Sequence, residues 1–255
     1  MPLSGQRILI TRPAHQADDL VRRLTDAGAE AVVVPAIRIV PPASYGDLDR
    51  ALQRLDTYDW VVFTSQNAVD AVFDRLTAAG RDASALGGTR VAAVGDATAA
   101  ALERRGIAVA LRPDDFTADG LLQAFGRHPV ASVRVLVPQA AEGREGLVEG
   151  LRSRGAVVDV VEAYRTEPAY NEASRLQRVL EDGVDAVVFA SPSAVRGTLE
   201  LAGVDALEGV ACVCIGPVTA RAARAAGLEV AAVADPHTDE GIVAAILRLF
   251  TGEEG

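Results

Sequence analysis

Serine, threonine and glycine residues follow buried apolar runs at matching places in the two halves of this chain. Ser65 comes after Val62-Phe63-Thr64, and Ser191 comes after Val188-Phe189-Ala190. A hydroxyl and free main-chain N–H groups at the start of a helix can bind an anion or another polar ligand. The same residues would also serve as helix N-caps, each contributing about 1 kcal/mol. The pattern therefore predicts a polar-ligand site or a set of helix caps, with the candidates Ser65, Gly95, Thr98, Ser191, Ser193, Gly216 and Thr219.

These matching places belong to a long internal repeat. Ile8-Leu9-Ile10 returns 127 positions later as Val135-Leu136-Val137, and the segment from Gly95 to Thr98 returns 121 positions later from Gly216 to Thr219. A solenoid repeat is only about 20–45 residues long. The repeat therefore predicts two homologous lobes of ordinary domain size, with a ligand cleft between them.

The strands that would position these residues are short runs of Val, Ile and Ala without polar alternation. Such runs indicate burial on both faces, as in a parallel sheet covered by helices. Alternating strands and amphipathic helices predict an α/β fold with two similar flavodoxin-like, doubly wound lobes, each binding ligand at the carboxyl ends of its strands. The predicted strands are Arg7–Thr11, Ala31–Val34, Trp60–Thr64, Arg90–Val94 and Ile107–Leu111, then Val133–Val137, Val157–Val161, Asp185–Ala190, Ala211–Ile215 and Glu229–Val233.

The composition excludes several classes of partner. A net charge of −10 argues against nucleic-acid binding, which needs a basic surface. An anionic small ligand stays compatible, because placed arginines and helix N-termini govern a local site. The sequence shows neither a signal peptide nor an uncharged apolar run of about 20 residues. With the only cysteines, Cys212 and Cys214, close together in one apolar run, we expect a reduced, cytoplasmic protein that does not bind membranes.

Motifs for nucleotide and metal binding are missing from the sequence. The turn after the first strand reads Thr11-Arg12-Pro13-Ala14 instead of Gly-x-Gly-x-x-Gly, and there is no Walker loop. His15, His128 and His237 stand singly near turns or helix starts, without metal-ligand spacing. We therefore expect neither a cofactor nor a metal.

A series of short motifs makes the chain resemble the uroporphyrinogen-III synthase family, whose members are cytoplasmic enzymes of tetrapyrrole (haem) biosynthesis. The resemblance runs from Arg7 to Ile246 and rests on the number, order and spacing of the motifs. They are Ile8-Leu9-Ile10-Thr11-Arg12-Pro13, the segments 60–69 and 94–99, Gly143-Arg144-Glu145, Ala163-Tyr164-Arg165-Thr166, and the segments 188–195 and 215–220.

The resemblance implies that the chain crosses between the lobes. Lobe 1 would combine residues 1–37 with 167–255, and lobe 2 would hold residues 38–166. The segments 36–41 and 162–168, which carry Pro41 and Pro168, would pair as a two-stranded hinge. Simple tandem domains divided near Pro129 are the structural alternative.

The reaction implied is cyclisation of hydroxymethylbilane to uroporphyrinogen III, with inversion of ring D and loss of water. The pyrroles supply the electrons, so no cofactor is implied. The expected partner is this linear tetrapyrrole, and the expected state is a monomer; a transient contact with the preceding pathway enzyme stays open. The alternatives are a non-catalytic, two-lobed tetrapyrrole-binding regulator and a sugar-nucleotide enzyme, although the sequence lacks the turn that the latter needs.

The resemblance also assigns roles to individual residues. Tyr164 would donate a proton to the leaving hydroxide, unless it is a structural aromatic of the connector. The hydroxyl and glycine candidates would bind the substrate's carboxylates. Two departures weaken that assignment, because Asp96 places a carboxylate after Gly95 and Pro217 removes an N–H donor after Gly216. The candidate counter-charges are Arg12, Arg38, Arg144 and Arg165.

Overall fold

The computed structural model describes residues 1–113, 118–126, 128–141, 143 and 145–252. The chain divides into two compact units: unit 1 comprises Met1–Arg38 and Thr166–Gly255, and unit 2 comprises Ile39–Arg165. Among the described residues, no helix has the length and apolar character needed to cross a membrane.

Strands and helices alternate along most of the chain. The strands are β1 (Arg7–Ile10), β2 (Glu30–Val33), β3 (Ile37–Val40), β4 (Trp60–Phe63), β5 (Arg90–Ala93), β6 (Arg134–Ala140), β7 (Val157–Pro168), β8 (Ala186–Phe189), β9 (Ala211–Cys214) and β10 (Val230–Val233). The α-helices are α1 (Asp18–Asp26), α2 (Gly46–Gln53), α3 (Gln66–Ala78), α4 (Asp96–Glu103), α5 (Ala118–Phe125), α6 (Glu145–Ser153), α7 (Ala173–Glu181), α8 (Pro192–Ala202), α9 (Pro217–Ala225) and α10 (Asp239–Thr251). Short 3-10 helices lie at Ala14–Gln16, Leu55–Thr57, Ala83–Leu86, Tyr170–Glu172 and Asp205–Leu207.

Unit 1 contains a five-stranded sheet in the order β10-β9-β8-β1-β2, with parallel pairing throughout. Ile8 and Ile10 pack in the core cluster that includes residues of α1 and α10, whereas Leu9 belongs to the cluster with residues of α7 and α8. Both faces are therefore covered, which explains the apolar runs without polar alternation. The strand order is that of a flavodoxin-like sheet, so the predicted fold class is confirmed for this unit.

Unit 2 contains a second five-stranded sheet, in the order β3-β7-β6-β4-β5. Strands β7, β6, β4 and β5 pair in parallel. The strand predicted at Ile107–Leu111 is wrong. Only an isolated bridge joins Leu111 to Ala92, and Pro113, two residues further on, has no N–H with which to extend the ladder toward the carboxyl end. With Leu111 beside β5, the order Leu111-β5-β4-β6-β7 nevertheless matches the order β10-β9-β8-β1-β2 of unit 1, and β3 is an additional edge strand. Each sheet therefore uses strands from both copies of the repeat.

Strands β3 and β7 each continue across a boundary between the two units. Ala169 N donates to the carbonyl of Ala36 at 3.0 Å, and Arg38 Nη2 lies 2.8 Å from Glu167 Oε2. Because residue numbers fall along one strand as they rise along the other, the two segments run antiparallel. Their role as a hinge stays a prediction.

A bulge near the end of β7 changes which face its side chains occupy. Glu162 pairs with Gln139 and Tyr164 with Ala140, so Ala163 is an additional residue in the ladder. Val158 packs in the core cluster on the α5 and α6 face. Strict alternation would place Tyr164 on that same face. The bulge turns it instead onto the face covered by α2, α3 and α4.

A buried tyrosine in unit 2 gives a pH-dependent test of this packing. Burial, followed by the 2.6 Å hydrogen bond from Tyr58 Oη to Asp159 Oδ2, raises the pKa of Tyr58 above its ordinary value. The unfolded chain loses this proton near the ordinary value of about pH 10, whereas the folded chain keeps it to higher pH. The free energy of unfolding should therefore be fully retained below about pH 10 and decline above it. Urea unfolding across this range should show a smaller decline for Tyr58→Phe than for the unmodified chain; equal declines would contradict the prediction.

Candidate functional site

Ser65 and Ser191 are both helix N-caps. Ser65 has extended backbone after β4, and its Oγ accepts a hydrogen bond of 3.2 Å from Ala68 N in the first turn of α3. Ser191 does the same for α8, where its Oγ accepts a 3.1 Å bond from Ala194 N. The capping interpretation is thus confirmed for both serines, and it uses one acceptor position of each hydroxyl.

Tyr164 lies next to Ser65 in unit 2. Its Oη is 2.9 Å from Ser65 Oγ, and either atom can be the donor. The ring is buried in the core cluster over α2, α3 and α4, and the Tyr164 carbonyl accepts a 3.1 Å hydrogen bond from Ala141 N. Tyr164 is therefore fixed by packing of its ring and by hydrogen bonds of its main-chain carbonyl and its hydroxyl.

The glycines and threonines of the predicted set open α4 and α9. Gly95 has φ +92°, in the left-handed region that favours glycine, and it precedes the first residue of α4. Gly216 is extended, and a Cβ there would lie 3.3 Å from the His237 ring, so a larger residue would require that ring to shift slightly. Thr98 and Thr219 lie in the first turns of α4 and α9 and are almost fully buried.

The charges near these helix starts are already partly paired. The carboxylate of Asp96, which would repel an anion at Gly95, lies 2.7 Å from Arg112 Nη1. Ser193, in the first turn of α8, accepts a 3.3 Å hydrogen bond from Arg196 Nη2. The carboxylate at position 96 is thus at least partly neutralised.

The candidate arginines within the described residues have partners of their own. Arg12 follows β1 and is largely buried, with Nη2 at 2.8 Å and Nη1 at 3.1 Å from the two carboxylate oxygens of Asp239. Arg38 pairs with Glu167, and Arg165 Nε lies 3.7 Å from Glu162. Arg144 lies outside the described residues. A substrate carboxylate at Arg12 would therefore share the guanidinium with Asp239.

The structure brings together two predicted site residues, Ser65 and Tyr164. Sequence reasoning missed Asp239 as the partner of Arg12, because the two residues are 227 positions apart and no local pattern joins them. Within the described ranges, no group of three or more His, Cys, Asp or Glu side chains is arranged to hold a metal ion.

Comparisons with known proteins identify the family. A family model described as uroporphyrinogen-III synthase HemD matches residues 18–244. The chain belongs to the uroporphyrinogen-III synthase family. The family predicted from the motifs is thereby confirmed. Among its relatives, the uroporphyrinogen-III synthase of Synechococcus elongatus is 34% identical over 96% of each chain. The porphyrin biosynthesis protein HemD of Ruminiclostridium josui is 31% identical over 98% of this chain, which spans half of that relative's length.

Solved structures of the uroporphyrinogen-III synthase family support the fold. A uroporphyrinogen III synthase from Thermus thermophilus matches with a TM-score of 0.69 at 20% identity, covering 98% of this chain and all of that one. The synthase from Helicobacter pylori matches with a TM-score of 0.61 at 17% identity, covering 96% of this chain and 99% of that one.

Proposed function

We propose that this chain is a uroporphyrinogen-III synthase, a cyclising hydro-lyase that converts hydroxymethylbilane into uroporphyrinogen III and water. The observation that carries the proposal is the family match over residues 18–244. The contact between Ser65 and Tyr164 supports it, because it places a buried phenol beside a helix start at the carboxyl end of β4.

The reaction begins with departure of hydroxide from the ring A methylene. Tyr164 donates its proton to this hydroxide, and the pyrrole nitrogen supplies the electron pair that forms the electrophilic azafulvene. The substituted carbon of ring D attacks it to give a spirocyclic intermediate. The spirocyclic intermediate then opens at the other methylene bond of the same ring D carbon, and the macrocycle recloses with ring D inverted. The last ring carbon to react loses one proton, which returns Tyr164 to its neutral form, so the net loss is one water.

The main task of the protein is to select a conformation. The bilane carries several carboxylates, and the helix starts at Gly95, Ser191 and Gly216 offer N–H groups and a hydroxyl to bind them. A substrate held at several carboxylates has fewer orientations in which to close directly, so the spirocyclic route is favoured. Gly95, Thr98, Ser193 and Thr219 are proposed as contributors to this binding, together with Arg12.

The test is to supply freshly made hydroxymethylbilane to the purified protein and to separate the oxidised products by isomer. We expect mainly the type III isomer, whereas the reaction without protein closes to the uninverted type I isomer. Production of type I alone at the uncatalysed rate would overturn the proposal and would favour a non-catalytic tetrapyrrole-binding protein.

A further inference from the structure

Ser65 connects the first turn of α3 to the hydroxyl of Tyr164. Its Oγ accepts the Ala68 N–H at 3.2 Å and lies 2.9 Å from Tyr164 Oη. A serine hydroxyl has one proton to donate and two lone pairs. One lone pair is used by the helix cap, so the proton of Ser65 stays available for Tyr164.

The direction of this hydrogen bond follows from the proposed role of Tyr164. A phenol that donates its proton to a leaving hydroxide must direct its O–H at the substrate. Tyr164 Oη can then only accept from Ser65, so Ser65 must be the donor. The Ala68 N–H polarises Ser65 in the same sense, because it belongs to the positive end of the helix dipole of α3.

We propose that Ser65 is a positioning residue that acts through Tyr164 and is not primarily a ligand of the substrate. Its O–H directs the Tyr164 proton at the leaving hydroxyl and stabilises the negative charge that develops on Oη as this proton departs. This inference rests on the proposed function, and in particular on Tyr164 as the proton donor. It also gives the bulge at Ala163 a role, because without it Tyr164 would lie on the opposite face of the sheet.

The second copy of the repeat provides an internal comparison. Ser191 caps α8 as Ser65 caps α3. The residue that matches Tyr164, 127 positions earlier, is Ile37. Ile37 lies against α8, where a Cβ on Gly197 would come within 2.7 Å of its Cγ2. The equivalent position thus carries an apolar side chain, and the Ser–Tyr pair belongs to unit 2 alone.

A double-mutant cycle with hydroxymethylbilane as substrate tests the inference. We expect Ser65→Ala to lower kcat about tenfold with little change in KM, as for a lost hydrogen bond to a developing charge. Ser65→Thr, which keeps a hydroxyl and a helix cap, should restore most of kcat. Ser65→Ala added to Tyr164→Phe should lower kcat no further. Ser191→Ala serves as the stability control and should shift the urea midpoint about as much as Ser65→Ala, because each loses one N-cap.

The outcomes separate the two proposals. If the effects of Ser65→Ala and Tyr164→Phe on kcat multiply in the double variant, the two residues act independently and the positioning role is wrong. If Ser65→Ala mainly raises KM, Ser65 contacts the substrate directly and the positioning role is also wrong. Failure of Ser65→Thr to restore kcat while its urea midpoint is normal would also overturn it. If Tyr164→Phe turns over normally, there is no proton donor to position and the inference falls. Absence of type III product from the unmodified chain would instead overturn the proposed function.

Discussion

Tyr164→Phe is expected to slow formation of uroporphyrinogen III by about 10²-fold or more, the lower end for loss of a general acid–base group. The loss should appear in kcat, because the hydroxyl acts on the bond that breaks. Substrate binding should change little, since the carboxylates are proposed to bind elsewhere. The phenylalanine ring keeps the packing over α2, α3 and α4, and Ser65 keeps its bond to Ala68 N.

Tyr58→Phe is the matched control for Tyr164→Phe. Tyr58 is another buried tyrosine of unit 2, and its hydroxyl donates a hydrogen bond to the side chain of Asp159. Removing this hydroxyl should make the decline in the free energy of unfolding at alkaline pH smaller, while turnover is retained. Steady-state rates and urea midpoints of both variants make the comparison. Normal turnover by Tyr164→Phe would remove this residue from the chemistry and leave conformational control as the source of catalysis.

Asp239→Asn should lower the free energy of unfolding by about 3 kcal/mol, toward the low end for breaking a buried ion pair. The Arg12 side chain is only 11% exposed and Asp239 21%, so the remaining guanidinium would have little water to replace the lost charge. Asp239 is also the first residue of α10, where a negative charge is favourable.

Glu167→Gln is the corresponding control for Asp239→Asn. Glu167 pairs with Arg38 at the same distance of 2.8 Å, but the two side chains are 34% and 57% exposed. An exposed pair contributes only about 0–1 kcal/mol. Urea unfolding at neutral pH should therefore separate the two variants clearly. Equal losses would show that burial does not set the strength of the Arg12 pair.

The pattern of apolar runs predicted most of the fold. The strands Trp60–Phe63 and Ala211–Cys214 lie almost as predicted, because strands buried on both faces leave a strong signal in the sequence. The run Ile107–Leu111 is also apolar but makes a single bridge, and Pro113 beyond it cannot donate a hydrogen bond that would extend the pairing. The bulge at Ala163 depends on registry with β6, which no property of β7 alone reveals.

The candidate site was predictable only in part. Ser65 and Tyr164 were each singled out, because one follows a buried strand and the other lies in a motif of the family. Their contact joins residues 99 positions apart, and the Arg12–Asp239 pair joins residues 227 apart. Such pairs form when strands from the two halves of the chain combine in one sheet. The periodicity of apolar residues predicts single strands and helices but not which strands combine.

The exchange of strands between the copies has a consequence for synthesis on the ribosome. β1 and β2 are made first, but β8, the central neighbour of β1, ends only at Phe189, and the last strand of that sheet ends at Val233. Strands β4 to β7, by contrast, form a nearly continuous block, and unit 2 is complete when Arg165 has emerged. Because domains fold as units when their chain becomes available, unit 2 should fold first. The N-terminal segment would then stay unfolded, with its apolar residues exposed to solvent, until the C-terminal third of the chain has been synthesised.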